Sequence, residues 1–81
     1  MLGEKKIIFG NLESELLRAG IKKSDLAAMV GLSVSALYAK LNGSRPFKLS
    51  ECQKIRRYLE IATDRELTID YLFETLVLES V

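Results

Sequence analysis

Histidine is absent from this chain, cysteine and proline each occur once, and no apolar run is long enough to span a bilayer. With no histidine and a single cysteine there is no His/Cys metal cluster and no Cys–His dyad. No cofactor or metal is therefore expected. The lone Cys52 cannot close an internal disulfide. Neither G-x-x-x-x-G-K-[ST] nor G-x-G-x-x-G is present to cradle phosphates, and no pair of carboxylates is marked for acid–base work. An enzyme is not expected. Nothing resembles a secretory signal or a membrane span, so the expectation is a cytoplasmic protein with no membrane partner. Repeats and low-complexity runs are also missing.

What is present is one domain's worth of chain: 81 residues, 48% of them apolar, enough for a single core. The formal net charge is only +1, but it is unevenly spread. Residues 21–57 carry Lys22, Lys23, Lys40, Arg45, Lys48, Lys54, Arg56 and Arg57 against Asp25 and Glu51. Residues 58–81 carry Arg65 against Glu60, Asp64, Glu66, Asp70, Glu74 and Glu79. A basic block followed by an acidic one suits a protein that turns one face toward phosphates.

Helical periodicity runs through most of the sequence. Residues 1–10 read as a short strand or an arm. Asn11 is placed to cap a first helix with Leu12, Leu16 and Leu17 on one face, closed by Gly20. Ser24 is expected to cap a second helix whose inner residues are Leu26, Ala27 and Val30. Gly31 falls where a turn needs positive φ, and Leu32 plugs the space beneath. Ser33 caps a third helix, with Leu37 and Leu41 inward. Val34, Ser35, Tyr38, Ala39 and Asn42 face outward, before Asn42-Gly43 and Ser44-Arg45-Pro46 end the helix. Phe47 points inward. Leu49, Cys52, Ile55 and Leu59 mark a fourth helix, with Lys54 and Arg57 toward solvent and Arg56 paired with Glu60. Ala62–Leu67 reads as a polar connection. Thr68 caps a fifth helix with Ile69, Leu72, Phe73 and Leu76 at helical spacing. Apolar residues at 26, 27, 30, 32, 37 and 41 are where two steeply crossed helices would meet, which is the spacing of a helix-turn-helix.

On Leu26-Ala27, Gly31-Leu32-Ser33, Leu37, Lys40-Leu41-Asn42-Gly43 and Arg45-Pro46-Phe47, the chain resembles the phage repressor and Cro family of helix-turn-helix proteins, over roughly residues 11–73. The resemblance implies an all-α bundle of four to five short helices with a lambda-repressor-like fold. It implies binding of double-stranded DNA at a near-palindromic operator by a homodimer. Carried over by position, Val34, Ser35, Tyr38 and Ala39 would meet base edges. Lys23 would lie near the phosphates or an outer base, and Asn42, Ser44 and Arg45 would clamp the backbone. Beside the resemblance, Ser24 is expected to bond the backbone and Lys40 and Lys48 to meet phosphates. The chain departs from the family's usual pattern at Val34 and Ala39, which lack the donors of a bidentate reader and suit thymine methyls instead.

The expected organisation is a single domain over 1–81, with a core at 11–73, an arm at 1–10 and an apolar tail at 74–81. Its length suits a minimal Cro-like regulator. Tyr71, Phe73, Leu76, Val77, Leu78 and Val81 are available for dimerisation. A different class stays open: a protein-interaction module, an antitoxin or an anti-repressor partner, that holds another protein through the apolar tail.

Overall fold

Glycines and apolar spacing divide the chain as the sequence suggests. The computed structural model describes residues 5–79. Among these, the helices are α1 (Gly10–Ala19), α2 (Lys23–Val30), α3 (Val34–Leu41), α4 (Leu49–Thr63) and α5 (Ile69–Leu72). Two short strands, β1 (Lys5–Ile8) and β2 (Leu76–Glu79), complete the fold. It is a small, mostly helical bundle carrying one two-stranded ribbon. None of the described helices is long and apolar enough to cross a membrane.

The core is built from residues three and four apart, the spacing that stacks side chains on one helical face. Leu12 and Leu16 come from α1, Leu26, Ala27 and Val30 from α2, Leu37 and Leu41 from α3, and Ile55 and Leu59 from α4; Leu67 and Leu72 close it. Cys52 is buried on the same face of α4, and burial holds its thiol above the ordinary pKa. A second cluster lies beside this core. Phe9, Phe47 and Phe73 meet edge to face, with centroids 5.4, 6.1 and 5.1 Å apart. Such pairs add specific geometry to their apolar burial. Three distant segments are tied there: the entry to α1, the loop after α3 and the exit from α5.

Several helix ends differ from expectation. Asn11 does not cap α1, which starts one residue earlier with Phe9 at the cap position. Its amide instead donates to the Tyr71 carbonyl at 2.9 Å and to Glu74 at 3.2 Å, a long-range bond that outcompetes the local one. Ser24 lies inside α2 and makes no cap; Lys22 holds the extended cap position. Ser33 and Thr68 cap as expected, accepting from the Ala36 and Tyr71 amides at 3.0 Å each. Leu49 is 64% exposed at the first position of α4, where the inward place in that turn goes to Glu51. The helix persists to Thr63 and closes on Asp64 in the left-handed region, so the polar connection is shorter than expected.

The largest departure is at the C-terminus. A fifth helix reaching Leu76 is not formed: α5 ends at Leu72, and Leu76–Glu79 pairs antiparallel with β1, Ile7 opposite Val77 and Ile8 opposite Leu76. Pairing between residues some seventy positions apart leaves no local periodic signal. The ribbon lies against the end of α3. Gly43 has φ +84, and a Cβ there would come within 2.6 Å of Ile7 Cδ1.

Gly43 is therefore constrained twice, by backbone and by space, whereas Gly31 (φ +81) faces open space. Gly31→Ala should cost about 1 kcal/mol in urea unfolding, the strain of a left-handed L-residue. Gly43→Ala should cost more. Equal losses would mean that β1 does not rest on the α3 terminus.

Candidate nucleic-acid interface

The turn between α2 and α3 sets the angle at which α3 is presented. Gly31 closes α2 in the left-handed conformation, its amide directed at Ala27 and Ala28 carbonyls. The Leu32 amide bonds the Ala27 carbonyl at 2.8 Å. The small, buried Ala27 leaves room for α3 to approach. Ser33 then starts α3 with its side-chain cap.

Helical phase divides α3 into two faces. Leu37, Lys40 and Leu41 are buried, while Val34, Ser35 and Tyr38 are exposed and Ala39 is half-buried. The residues expected to read bases thus share one solvent-facing stripe. That stripe offers two hydroxyls, on Ser35 and Tyr38, beside the apolar surfaces of Val34 and the Tyr38 ring. Ile7, Ile8, Phe9 and Glu13 line a hollow with Tyr38, Leu41 and Asn42, so β1 and α1 buttress this helix from the side.

Lys40 is a correction. Expected on phosphates, it is only 3% exposed, and its ammonium donates to Glu51 Oε1 at 2.6 Å. The same oxygen accepts the Lys48 backbone amide at 2.9 Å, which caps α4. One carboxylate therefore joins the last turn of α3 to the first turn of α4. Burial pushes the Glu51 carboxyl up in pKa, but the bonds from Lys40 and the Lys48 amide outweigh it, and the net displacement is downward. The signal was present in the sequence: Lys40 is three residues after the inward Leu37, and Glu51 stands at the capping-box position of α4.

The other expected backbone contacts are placed less uniformly. Arg45, Ser44, Ser24 and Lys48 are exposed. Asn42 is exposed too, but its side-chain oxygen accepts the Ser44 amide at 3.0 Å and shapes the turn. Lys23 is half-buried, ion-paired to Glu13 at 3.0 Å, and 5.8 Å from the Tyr38 ring centroid. Glu13 went unnoticed in the sequence, because an inter-helix partner has no spacing rule.

Tyr71, expected at a dimer contact, has its hydroxyl turned to the protein. It donates to Glu15 Oε2 at 2.8 Å, and Arg65 donates to both Glu15 oxygens at 2.8 and 3.1 Å. Glu15 is fully buried. Burial alone would raise its pKa, but Tyr71 and Arg65 reverse the direction, and the same bond raises the Tyr71 phenol. Leu76 and Val77 are 60% and 54% exposed. Val81 and the side chain of Leu78 lie outside the described residues.

The family model of the BetR domain matches residues 3–72. That match fits a small helical domain of helix-turn-helix type and a regulatory, DNA-binding-like role, and is less specific than phage repressor or Cro. No curated protein and no solved structure matches the chain.

Removing the Lys40 ammonium strands a buried carboxylate. Lys40→Met should destabilise the fold by about 3 kcal/mol in urea unfolding, while Arg45→Ala should change it by less than about 0.5 kcal/mol. Similar losses for the two would mean that Lys40 is a surface cation. Both Glu15 and Glu51 titrate lower folded than unfolded, so in acid the unfolded chain takes up protons first. The stability they contribute is fully present above about pH 5 and is lost as pH falls through the ordinary carboxylate range toward their depressed folded values. Melting temperature followed from pH 7 to acid should show that decline; a flat profile would mean that neither carboxylate is held.

Proposed function

The chain belongs to the BetR domain family, and from that premise we propose that it is a sequence-specific transcriptional regulator of phage or prophage repressor or Cro type. It acts in the cytoplasm on double-stranded DNA. A twofold dimer occupies a near-palindromic operator with α3 in each major groove. The observation that carries this reading is the division of α3: Val34, Ser35 and Tyr38 are free for a ligand, while the opposite face is fixed to the core and to Glu51.

Affinity comes mainly from phosphates. Arg45 and Lys48 are exposed beyond the end of α3, and Lys23 reaches DNA by exchanging Glu13 for a phosphate. Specificity comes from fewer contacts. Val34 and Ala39 favour thymine methyls, and the Ser35 and Tyr38 hydroxyls bond a base edge or phosphate. One such helix reads few base pairs, so two are needed, about 34 Å apart on the duplex. The exposed Leu76 and Val77 of the ribbon supply the dimer contact.

A second reading, an antitoxin or anti-repressor partner that holds another protein, is favoured by one observation: the scarcity of donors on the exposed α3 stripe.

Selection from randomised duplexes tests the first reading. Enrichment of an inverted repeat with half-sites one turn apart is expected, with A·T steps under α3, and Val34→Gln should change the preferred base there. With four to six phosphates neutralised per dimer, log K should fall against log salt with a slope of roughly −4 to −5. Arg45→Ala should make that slope shallower by about 2 for a dimer. Retention without enrichment would leave only nonspecific phosphate binding. No retention at low salt would favour the protein-partner reading.

A further inference from the structure

Two surfaces outside the α3 stripe complement each other. The first is a groove between α2 and α4, about 420 Å³ in volume. Met29, Tyr58 and Ile61 form its apolar lining, with Lys54 and Arg57 beside them. Ile61 is 76% exposed, a large apolar side chain left in water at the end of a helix whose other face is core. Among the described residues, neither Lys54 nor Arg57 is in an ion pair.

The second surface is on α5 and the turn after it, where Ile69, Asp70, Tyr71, Phe73 and Glu74 line a shallower hollow. Asp70 and Glu74 are exposed carboxylates set among apolar atoms. This element meets α4 along Gln53 and Arg56, and Gln53 also borders the groove, so the two surfaces are neighbours across α4. One molecule therefore carries a basic-rimmed apolar groove and, beside it, an acidic apolar surface.

We propose that the α4 groove face of one copy packs on the α5 surface of another, with the exposed Ile61 entering the α5 hollow. Apolar contact with Ile61 and Tyr58 supplies the attraction. Pairing of Lys54 and Arg57 with Asp70 and Glu74 selects the orientation, as rim charges do. The two patches are unlike, so each single contact leaves one groove and one α5 surface available for a second. Surfaces this limited bind weakly. The contact gains force where copies are already held side by side, because tethering raises their effective concentration. Its consequence on DNA, mutual reinforcement between neighbouring sites, rests on the DNA-binding reading; the association itself does not.

Sedimentation equilibrium of the full chain without DNA, from micromolar to millimolar at low salt, tests the contact. An association step is expected beyond whatever twofold dimer forms. Ile61→Ser should weaken that step about tenfold, and so should either charge reversal, Lys54→Glu with Arg57→Glu or Asp70→Lys with Glu74→Lys. An equimolar mixture of the two reversed proteins should associate more tightly than either alone. Glu74 gives up only an exposed bond to Asn11, and thermal melting of each variant checks that it is folded. Association unchanged in every variant, a mixture no tighter than its components, or no such step at millimolar concentration would each overturn the proposal. Ile61→Ser should leave affinity for a single isolated operator unchanged, so the DNA reading stands or fails on a separate measurement.

Discussion

The buried pair of Lys40 and Glu51 is the contact on which the presentation of α3 depends. α3 is short, and its apolar hold on the bundle comes from Leu37 and Leu41. Those two leucines fix which face points inward but allow the helix to pivot about their common stripe. A charged bond at 2.6 Å in the last turn removes that freedom, because a buried carboxylate without its cation is too costly for the pair to separate. The carboxylate also caps α4 through the Lys48 amide. The orientation of the exposed stripe and the start of α4 are therefore set by one group. Gly43 and Ile7 brace the same end of α3 from the ribbon side.

A second buried carboxylate has the matching role beyond the other end of α4. Glu15 on α1 gathers Arg65 from the loop before α5 and Tyr71 from α5 itself. A four-residue helix has little stability of its own, and α5 persists because it is held at both ends. Thr68 caps it, Tyr71 is anchored to Glu15, and the Tyr71 carbonyl accepts from Asn11. The three phenylalanines then bring β1, the α3–α4 loop and the α5 exit together. With α5 fixed, Thr75 and the strand beyond it are directed back to β1. The ribbon follows from this clamp, since a lone two-stranded pair is marginal in water.

The parts of this architecture that were legible in the sequence are those with short-range rules. Leu26, Ala27, Val30, Leu37 and Leu41 repeat at helical spacing, Gly31 marks the turn, and Ser33 caps α3; each is where local physics puts it. The outward phase of Val34, Ser35 and Tyr38 follows from the same counting. What escaped was long-range or polar. The capacity of Asn11 to cap a helix was real, but a tertiary acceptor on Tyr71 took its amide. Leu76 continues the helical spacing of Ile69, Leu72 and Phe73 and pairs as a strand instead, because its partner is at the other end of the chain. The charge of Lys40 points to solvent, whereas its phase beside Leu37 points inward. A lysine is rarely buried unless paired, and its carboxylate, Glu51, was eleven residues away.

Pairing also changes how the charge pattern bears on recognition. Of the basic residues in 21–57, Lys40 is neutralised inside the bundle, Lys23 faces Glu13, and Arg56 bonds Glu60. Among the described residues, Lys22, Arg45, Lys48, Lys54 and Arg57 remain against Asp25. Two of these, Lys54 and Arg57, belong to the α2–α4 groove, which leaves a modest field around α3. On the proposed reading, a weak field would make each phosphate contact matter more to affinity and would limit nonspecific retention, the usual competitor of a small reader. The Glu13–Lys23 pair works in the same direction. In the proposed complex Lys23 would exchange a carboxylate for a phosphate, so its net gain would be small on any duplex. In the proposed complex discrimination would rest on how well the Val34, Ser35 and Tyr38 surface fits the groove, a surface held still by Lys40, the one nearly inaccessible lysine among the described residues.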